Sequence, residues 1–335
     1  MASQIAVITG AGSGIGRAAA LALGRAGFDI ALLGRDQTRL DETARDLDRH
    51  GIRSLAIAQD VADPQGVQAA ADRIEQELGP IAVWANCAGA TVIGQTAVLA
   101  AEDIRRATEV TYLGSVYGTL AALNVMRRRG QGTIINLDLT PALRGLPLQA
   151  AESGARAGLR GFCASLRPEL RHDGDRIRVV MVDLPAINTP RYGWTRNMTG
   201  KRLKPYGAVY EPEVAAEAIC RAAFGSSRSV SIGLGTLLDP LRSLLAPFYR
   251  EARLAELGYK AQMSYDWMQA PQPDGLHEPV AGAFGAHGPF DEKSRRLDSP
   301  LSIFVPSDLR AGLFGALAAM ALATLARHMK KPGKA

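Results

Sequence analysis

Seven residues close to the N-terminus, Thr9, Gly10, Gly12, Ser13, Gly14, Ile15 and Gly16, stand between an apolar run at 5–8 and a helix-patterned stretch at 17–26. A chain that turns from strand into helix this sharply needs residues without a Cβ. The helix it opens aims unpaired N–H groups and a partial positive charge at whatever lies above. A pyrophosphate is the expected guest, so the chemistry on offer is that of a dinucleotide. A tight turn without a ligand would account for the glycines alone; the strand before and the helix after carry the ligand reading. A second apolar strand, 28–33, ends in Gly34-Arg35-Asp36. In dinucleotide folds an acid about 20 residues past the turn takes the ribose 2′-OH, whereas an arginine accommodates a 2′-phosphate. Arg35 points to NADP(H), beside an Asp36 suited to cap a helix.

The pattern Thr-Gly-x-x-x-Gly-Ile-Gly at 9–16 resembles the short-chain dehydrogenase/reductases, and the resemblance runs over roughly 4–235. It implies a nicotinamide cofactor on an α/β, Rossmann-type doubly wound parallel sheet. By that resemblance Gly10, Ser13, Gly14, Ile15 and Gly16 form the pyrophosphate cradle. Gly34 stands where NAD-preferring relatives carry an acid, and Arg35 where NADP-preferring relatives carry a base. Asp60 and Val61 frame the adenine. Asn86-Cys87-Ala88-Gly89 matches the family's Asn-Asn-Ala-Gly and places Asn86, Ala88 and Gly89 under the cofactor. Cys87 reads as a small buried hydrophobe. Pro185, Ile187 and Thr189 lie in a loop resembling Pro-Gly-x-x-x-Thr, with Ala186 replacing its glycine and one residue fewer, and are expected to hold the carboxamide.

The catalytic positions depart from the family pattern. Thr111 replaces the asparagine, Leu139 the serine (a one-residue shift offers Thr140), Glu152 the tyrosine and Arg156 the lysine. The usual mechanism needs a phenol whose pKa a lysine lowers, and arginine does not deprotonate. Glu152 and Arg156, four apart on one helix, can simply pair with each other. Alternatively Arg156 holds the nicotinamide ribose while Glu152, its pKa depressed, faces the substrate as counter-ion to a cation. At an effective dielectric of about 20, such a contact at roughly 4 Å is worth on the order of 4 kcal/mol before desolvation. That arrangement suits an iminium ion accepting hydride. A lid-like stretch at 190–210 carries Tyr192, which could supply a phenol from outside the helix. It also carries Arg191, Arg196, Lys201, Arg202 and Lys204, read either as a solvated face or as partners for an acidic ligand or the cofactor phosphates. The expected activity is an NADP(H)-dependent oxidoreductase reducing a C=N or other activated bond of a small molecule. The alternatives are a cofactor-binding pseudoenzyme with a structural or regulatory role, and a redox-neutral cyclase or isomerase.

Helix and strand patterns alternate throughout: helices at 36–50, 64–78, 101–129 and 151–172, strands at 55–58, 81–85, 132–137 and 176–182, a helix from Glu211-Pro212 and a last strand at 229–232. Residues 1–236 form the cofactor-binding domain. Residues 237–335 form a helical, partly irregular extension with a Pro/Gly-rich stretch at 271–300. With 335 residues and 47% hydrophobic content, the chain has enough for this one core. Cys87, Cys163 and Cys220 lack the spacing of a disulfide framework or zinc site, and no metal is expected at His277 or His287. With no secretory pattern at the N-terminus, a cytoplasmic location is expected. The net charge of +6 comes without a basic helix interleaved with aromatics, which argues against nucleic acid. Residues 311–326 are uncharged, and at about 1.5 Å per residue reach about 24 Å, short of a hydrocarbon core of about 30 Å. Docking on the fold or a neighbouring subunit is preferred there to membrane-surface contact through 311–331. By resemblance, 101–129 and 151–172 build a homodimer or homotetramer.

Overall fold

Ile5, Ala6, Val7 and Ile8 are wholly buried in the middle of an eight-stranded sheet, as a strand covered by helices on both faces must be. The computed structural model describes residues 4–139, 145–233, 236, 247–268, 272–282, 284–300 and 302–306. The first half of the chain forms β1 (Gln4–Thr9), α1 (Gly14–Arg25), β2 (Phe28–Gly34), α2 (Gln37–Asp48), β3 (Ser54–Ala58), α3 (Pro64–Glu77), β4 (Ile81–Asn86), α4 (Ala101–Thr108) and α5 (Gly114–Met126). Then come β5 (Gln131–Leu139), α6 (Ala150–His172), β6 (Arg176–Leu184), α7 (Pro212–Phe224), β7 (Ser229–Ile232), α8 (Pro247–Gln262) and β8 (Phe304–Pro306). The order is β8-β7-β6-β5-β4-β1-β2-β3. Every neighbouring pair is parallel except β7 with β8. The order reverses between β1 and β4, and the crevice at the carboxyl ends of those strands is where such sheets bind ligands.

Helices α1, α2 and α7 bury Leu23, Leu40 and Ile219 against Ile8, Leu32 and Val182 on one face. On the other face α3, α5 and α6 bury Ile74, Leu123 and Leu159 against Val7, Trp84 and Ile134. The Asp36 carboxylate accepts from Arg39 N at 3.2 Å and caps α2. The helical stretch expected over 101–129 is divided by a π-turn at Glu109–Leu113, which buries Thr111 between α4 and α5.

The sheet does not end with β7, as the sequence pattern suggested. Phe304–Pro306 returns from the extension and pairs antiparallel with it. A three-residue strand ending in proline is tolerated at an edge and carries no periodicity to find. Met263–Trp267 pairs with Lys201–Leu203 of the lid, tying the extension to the cofactor-binding core. The tail readings at 311–331, and Thr140, lie outside the described residues. Among the described residues no helix is long and apolar enough to cross a membrane.

Candidate active site

The turn between β1 and α1 requires its glycines. Gly14 has φ +54°, and a Cβ on Gly16 would sit 2.2 Å from the Gly10 carbonyl oxygen. The first bond of α1 runs from Arg17 N to Ser13 O at 3.2 Å, so the amides of Ile15 and Gly16 precede any helical acceptor. Above them opens a cleft of about 280 Å³, lined by the whole predicted cradle, Gly10, Ser13, Gly14, Ile15 and Gly16. Arg35, Asp60 and Val61 line one end, Ala88 and Gly89 the floor, and Pro185, Ile187 and Thr189 the far wall, with Glu152, Arg156 and Tyr192 beyond. Thr9 Oγ1 accepts from Cys87 N at 3.0 Å and Ala88 N at 3.1 Å, joining the ends of β1 and β4 beneath the cleft. Burial pushes the Cys87 thiol up to about 12, against the opposing charge of Arg156, so it is no nucleophile.

Two sequence-assigned residues stand behind the wall instead of in it. Asn86 is 2% exposed; its Oδ1 accepts from Trp84 Nε1 at 2.9 Å, and its Nδ2 donates to Asn136 Oδ1 at 2.9 Å and Ser115 O at 3.1 Å. It joins β4, β5 and α5. Thr111 is fully buried; its hydroxyl donates to Ala90 O at 2.7 Å and accepts from Ala90 N at 3.0 Å. It positions the turn under the cleft from behind the wall and does not line the cleft. Asp60 pairs with Arg106 and accepts from Ala62 N at 2.9 Å.

Glu152 and Arg156 project from α6 into the cleft, yet they are not each other's main partner. Arg156 Nη2 stands 3.7 Å from Glu152 Oε1, while Arg156 Nη1 donates to Leu137 O at 2.6 Å. Both carboxylate oxygens of Glu152 are taken by Arg191 of the lid, Nη1 to Oε1 at 3.0 Å and Nη2 to Oε2 more closely still. Burial favours the neutral acid, but the charges of Arg191 and Arg156 and hydrogen bonds from Arg191 and Thr91 outweigh it and hold Glu152 below the ordinary carboxylate range. Sequence reasoning grouped Arg191 with the other lid cations. The signal that singles it out is that a buried carboxylate needs a bidentate donor, which an arginine supplies. Arg196 is likewise spent, on Asp103 at 2.9 Å and Asp274 at 3.0 Å. Lys204 lines the cleft and has no carboxylate within ion-pair distance among the described residues. Tyr192 lies edge-on to Phe290, ring centroids 5.1 Å apart; burial, opposed by Arg191 and reinforced by Glu152, pushes its phenol up to about 12.

Arg35 reaches the cleft but donates to the extension: Nη2 to Gly275 O and Nη1 to His277 O, each at 2.6 Å, and Nη1 to Leu276 O at 3.4 Å. Arg39, one helical turn on, was not expected at the site. Its Nε donates to Gly282 O at 3.2 Å, and its buried Nη2 has no hydrogen-bond partner among the described residues. Its guanidinium lies 4.7 Å from the Phe284 ring centroid and 5.2 Å from that of Trp194.

A parallel sheet reversing at β1, with a glycine cradle at the reversal, defines an α/β dinucleotide-binding protein. A model of the short chain dehydrogenase family matches residues 4–198. The chain belongs to the short-chain dehydrogenase/reductase family of oxidoreductases. It is similar to the uncharacterized oxidoreductase YxnA of Bacillus subtilis, 28% identical over 261 residues, 77% of this chain and 73% of that one. To the 3-dehydrosphinganine reductase of Danio rerio it is 28% identical over 250 residues, 72% and 75% of the two chains. Among solved structures, an actinorhodin polyketide ketoreductase variant with NADPH has a TM-score of 0.59 at 26% identity, covering 66% of this chain and 90% of that one.

Proposed function

We propose that the protein is an NADP(H)-dependent reductase whose site stabilises negative charge developing on a substrate oxygen, with the family's four catalytic positions replaced by Thr111, Leu139, Glu152 and Arg156. The cradle fits the dinucleotide: the Ile15 and Gly16 amides precede the first helical bond, and a Cβ on Gly16 would meet the Gly10 carbonyl and one on Gly14 the Thr189 side chain, so the tight turn needs both glycines. Arg35 and the Nη2 of Arg39, which has no hydrogen-bond partner among the described residues, both at the β2 end of the cleft, support NADP(H) over NAD(H). So does the NADPH held by the ketoreductase neighbour.

A nicotinamide held by Pro185, Ile187 and Thr189 would supply the hydride. The observation that carries the rest is the double engagement of Glu152 by Arg191 and its contact with Arg156. Two guanidinium charges against one carboxylate leave these three groups at +1; Asp138, which also acts on Arg156, is paired with Arg160, and the cleft-lining Lys204 adds to the positive charge. A carboxylate spent in this way is not available as counter-ion to an iminium carbon, so the C=N reading loses its basis. A positive cluster in a closed site favours an alkoxide or enolate oxygen, so the activated bond is a carbonyl or a carbonyl-conjugated C=C. Arg156 holds the developing oxyanion. Tyr192, kept protonated by its raised pKa, gives its proton to that oxygen.

Loss of NADPH absorbance with ketones and enones, abolished by Arg156→Met, is the test. The raised Tyr192 phenol also suits a pseudoenzyme, which would bind NADPH tightly and consume none with any of these substrates. By family resemblance the assembly is a homodimer or homotetramer through α4, α5 and α6, where Leu120 stands 47% exposed.

A further inference from the structure

The extension crosses the cofactor cleft from end to end. Gly275, Leu276, Pro279 and Val280 line it. At the β2 end, three carbonyls at 275–277 accept from Arg35, and Leu276 is 1% exposed in a cluster with Val92, Ala107 and Ala151. Midway, Phe284 packs edge-on to Trp194 with centroids 4.6 Å apart, stacks on Arg39, and accepts at its carbonyl from Arg17 Nη1 at 3.3 Å. Over the cradle itself, the Gly14 amide donates to Gly285 O at 3.1 Å. At the far wall, Gly288 N donates to Asn188 O at 3.3 Å, the Asn188 side chain bonds Asp291 Oδ1 at 2.6 Å and Phe290 N at 2.9 Å, and Phe290 meets Tyr192.

We infer that residues 272–282 and 284–291 are a strap that closes the cofactor cleft and must open for the cofactor to enter or leave. The inference rests on the dinucleotide reading of the cleft but not on turnover. The contacts divide into two kinds. The hydrophobic anchor at Leu276 and the aromatic packing at Phe284 belong to the protein alone. The bonds at Arg35 and Gly14 use groups that a 2′-phosphate and a pyrophosphate would also seek. Cofactor entry therefore exchanges strap bonds for cofactor bonds at both ends of the cleft, while the aromatic middle holds the strap near. Association is limited by that opening instead of by the diffusional ceiling of about 10⁸–10⁹ M⁻¹s⁻¹, and dissociation is limited by the same opening.

The test follows NADPH fluorescence by stopped flow in the full-length chain, in both directions. Phe284→Ala removes the aromatic packing. Gly288→Ala places a methyl 2.2 Å from the Thr189 carbonyl oxygen and forces the strap off the far wall. Both variants are expected to bind and release NADPH at least tenfold faster than wild type, with a smaller change in Kd. A wild type that binds no NADPH beside a variant that does also supports closure. Equal rates in wild type and both variants overturn it. Should none of the three bind NADPH, the cofactor reading fails. The strap is then judged by hydrogen exchange at the Gly14 amide, expected at least tenfold slower in wild type than in Phe284→Ala, and overturned by equal exchange.

Discussion

Glu152 and Arg191 come from different parts of the chain, α6 and the lid, and meet through two parallel hydrogen bonds at a site where Glu152 is 2% exposed. The 190–210 stretch is thereby fixed to α6 by its charge. Glu152→Gln leaves Arg191 and Arg156 without the carboxylate between them, and Arg191→Met leaves a buried carboxylate with only the Thr91 hydrogen bond and the 3.7 Å contact to Arg156. Each is expected to lower unfolding stability by about 3–5 kcal/mol, read from urea titration. The double variant should lose less than the sum, because the two share one interaction. The pH dependence has a fixed sign. Glu152 titrates below its ordinary 4.5 in the folded state, so its contribution is present above that value and is lost only as pH falls through the depressed folded pKa.

Arg35 has two employers. Arg35→Asp should weaken NADPH binding by about 10- to 100-fold, the scale of one charged hydrogen bond, and strengthen NADH binding. Because Arg35 also donates to three strap carbonyls, the same variant should release NADH faster than its affinity alone predicts. Calorimetry and stopped flow on one preparation separate the two effects. Unchanged NADPH affinity removes Arg35 from the phosphate site.

Tyr192 differs from the usual phenol of the family in the direction of its shift. A pKa near 12 keeps it protonated, so turnover that uses it as proton donor should be flat across about pH 6 to 9, with no phenol titration in that window. Tyr192→Phe should cost about 10²-fold in kcat with little change in NADPH affinity. Equal kcat in the two proteins assigns the proton to another donor.

His287 ties the strap to α7, its Nδ1 2.9 Å from Asp291 and its Nε2 3.1 Å from Glu213. Burial lowers its pKa, but the hydrogen bond to Asp291 and the charge of Glu213 raise it further, and the net shift is upward. A raised histidine contributes fully below its unfolded value, and the contribution is lost as pH rises through the folded one. NADPH release should therefore quicken as pH rises from about 6 to about 9, and His287→Gln should flatten that profile. An identical profile in the variant removes His287 from the strap.

The cofactor half of the site was legible because its chemistry is local. A glycine turn between strand and helix is one contiguous stretch, and its cradle residues all line the cleft. The substrate half was not, because charge pairing over long separations leaves no periodicity. Glu152 with Arg191, Arg35 with 275–277 and Arg17 with Phe284 join segments whose separation only the sheet topology sets. The strap itself reads as a Pro/Gly-rich loop, and much of its anchoring comes from bonds to its backbone carbonyls, which every residue type carries. Thr111 and Asn86 were placed in the site by family position. Their side chains turned out to serve the wall, since each fulfils its hydrogen bonds inside it.

Arg156, Arg191 and Glu152 are proposed to stabilise an oxyanion. This role is tested by comparing NADPH consumption with a cyclic enone, its saturated ketone and a five-membered cyclic imine, in wild type and in Arg156→Met. The enone or ketone is expected to be reduced at least about 10²-fold faster than the imine, and Arg156→Met to remove about 10²- to 10³-fold of that rate. Preferential reduction of the protonated imine, or full activity in Arg156→Met, would contradict that role.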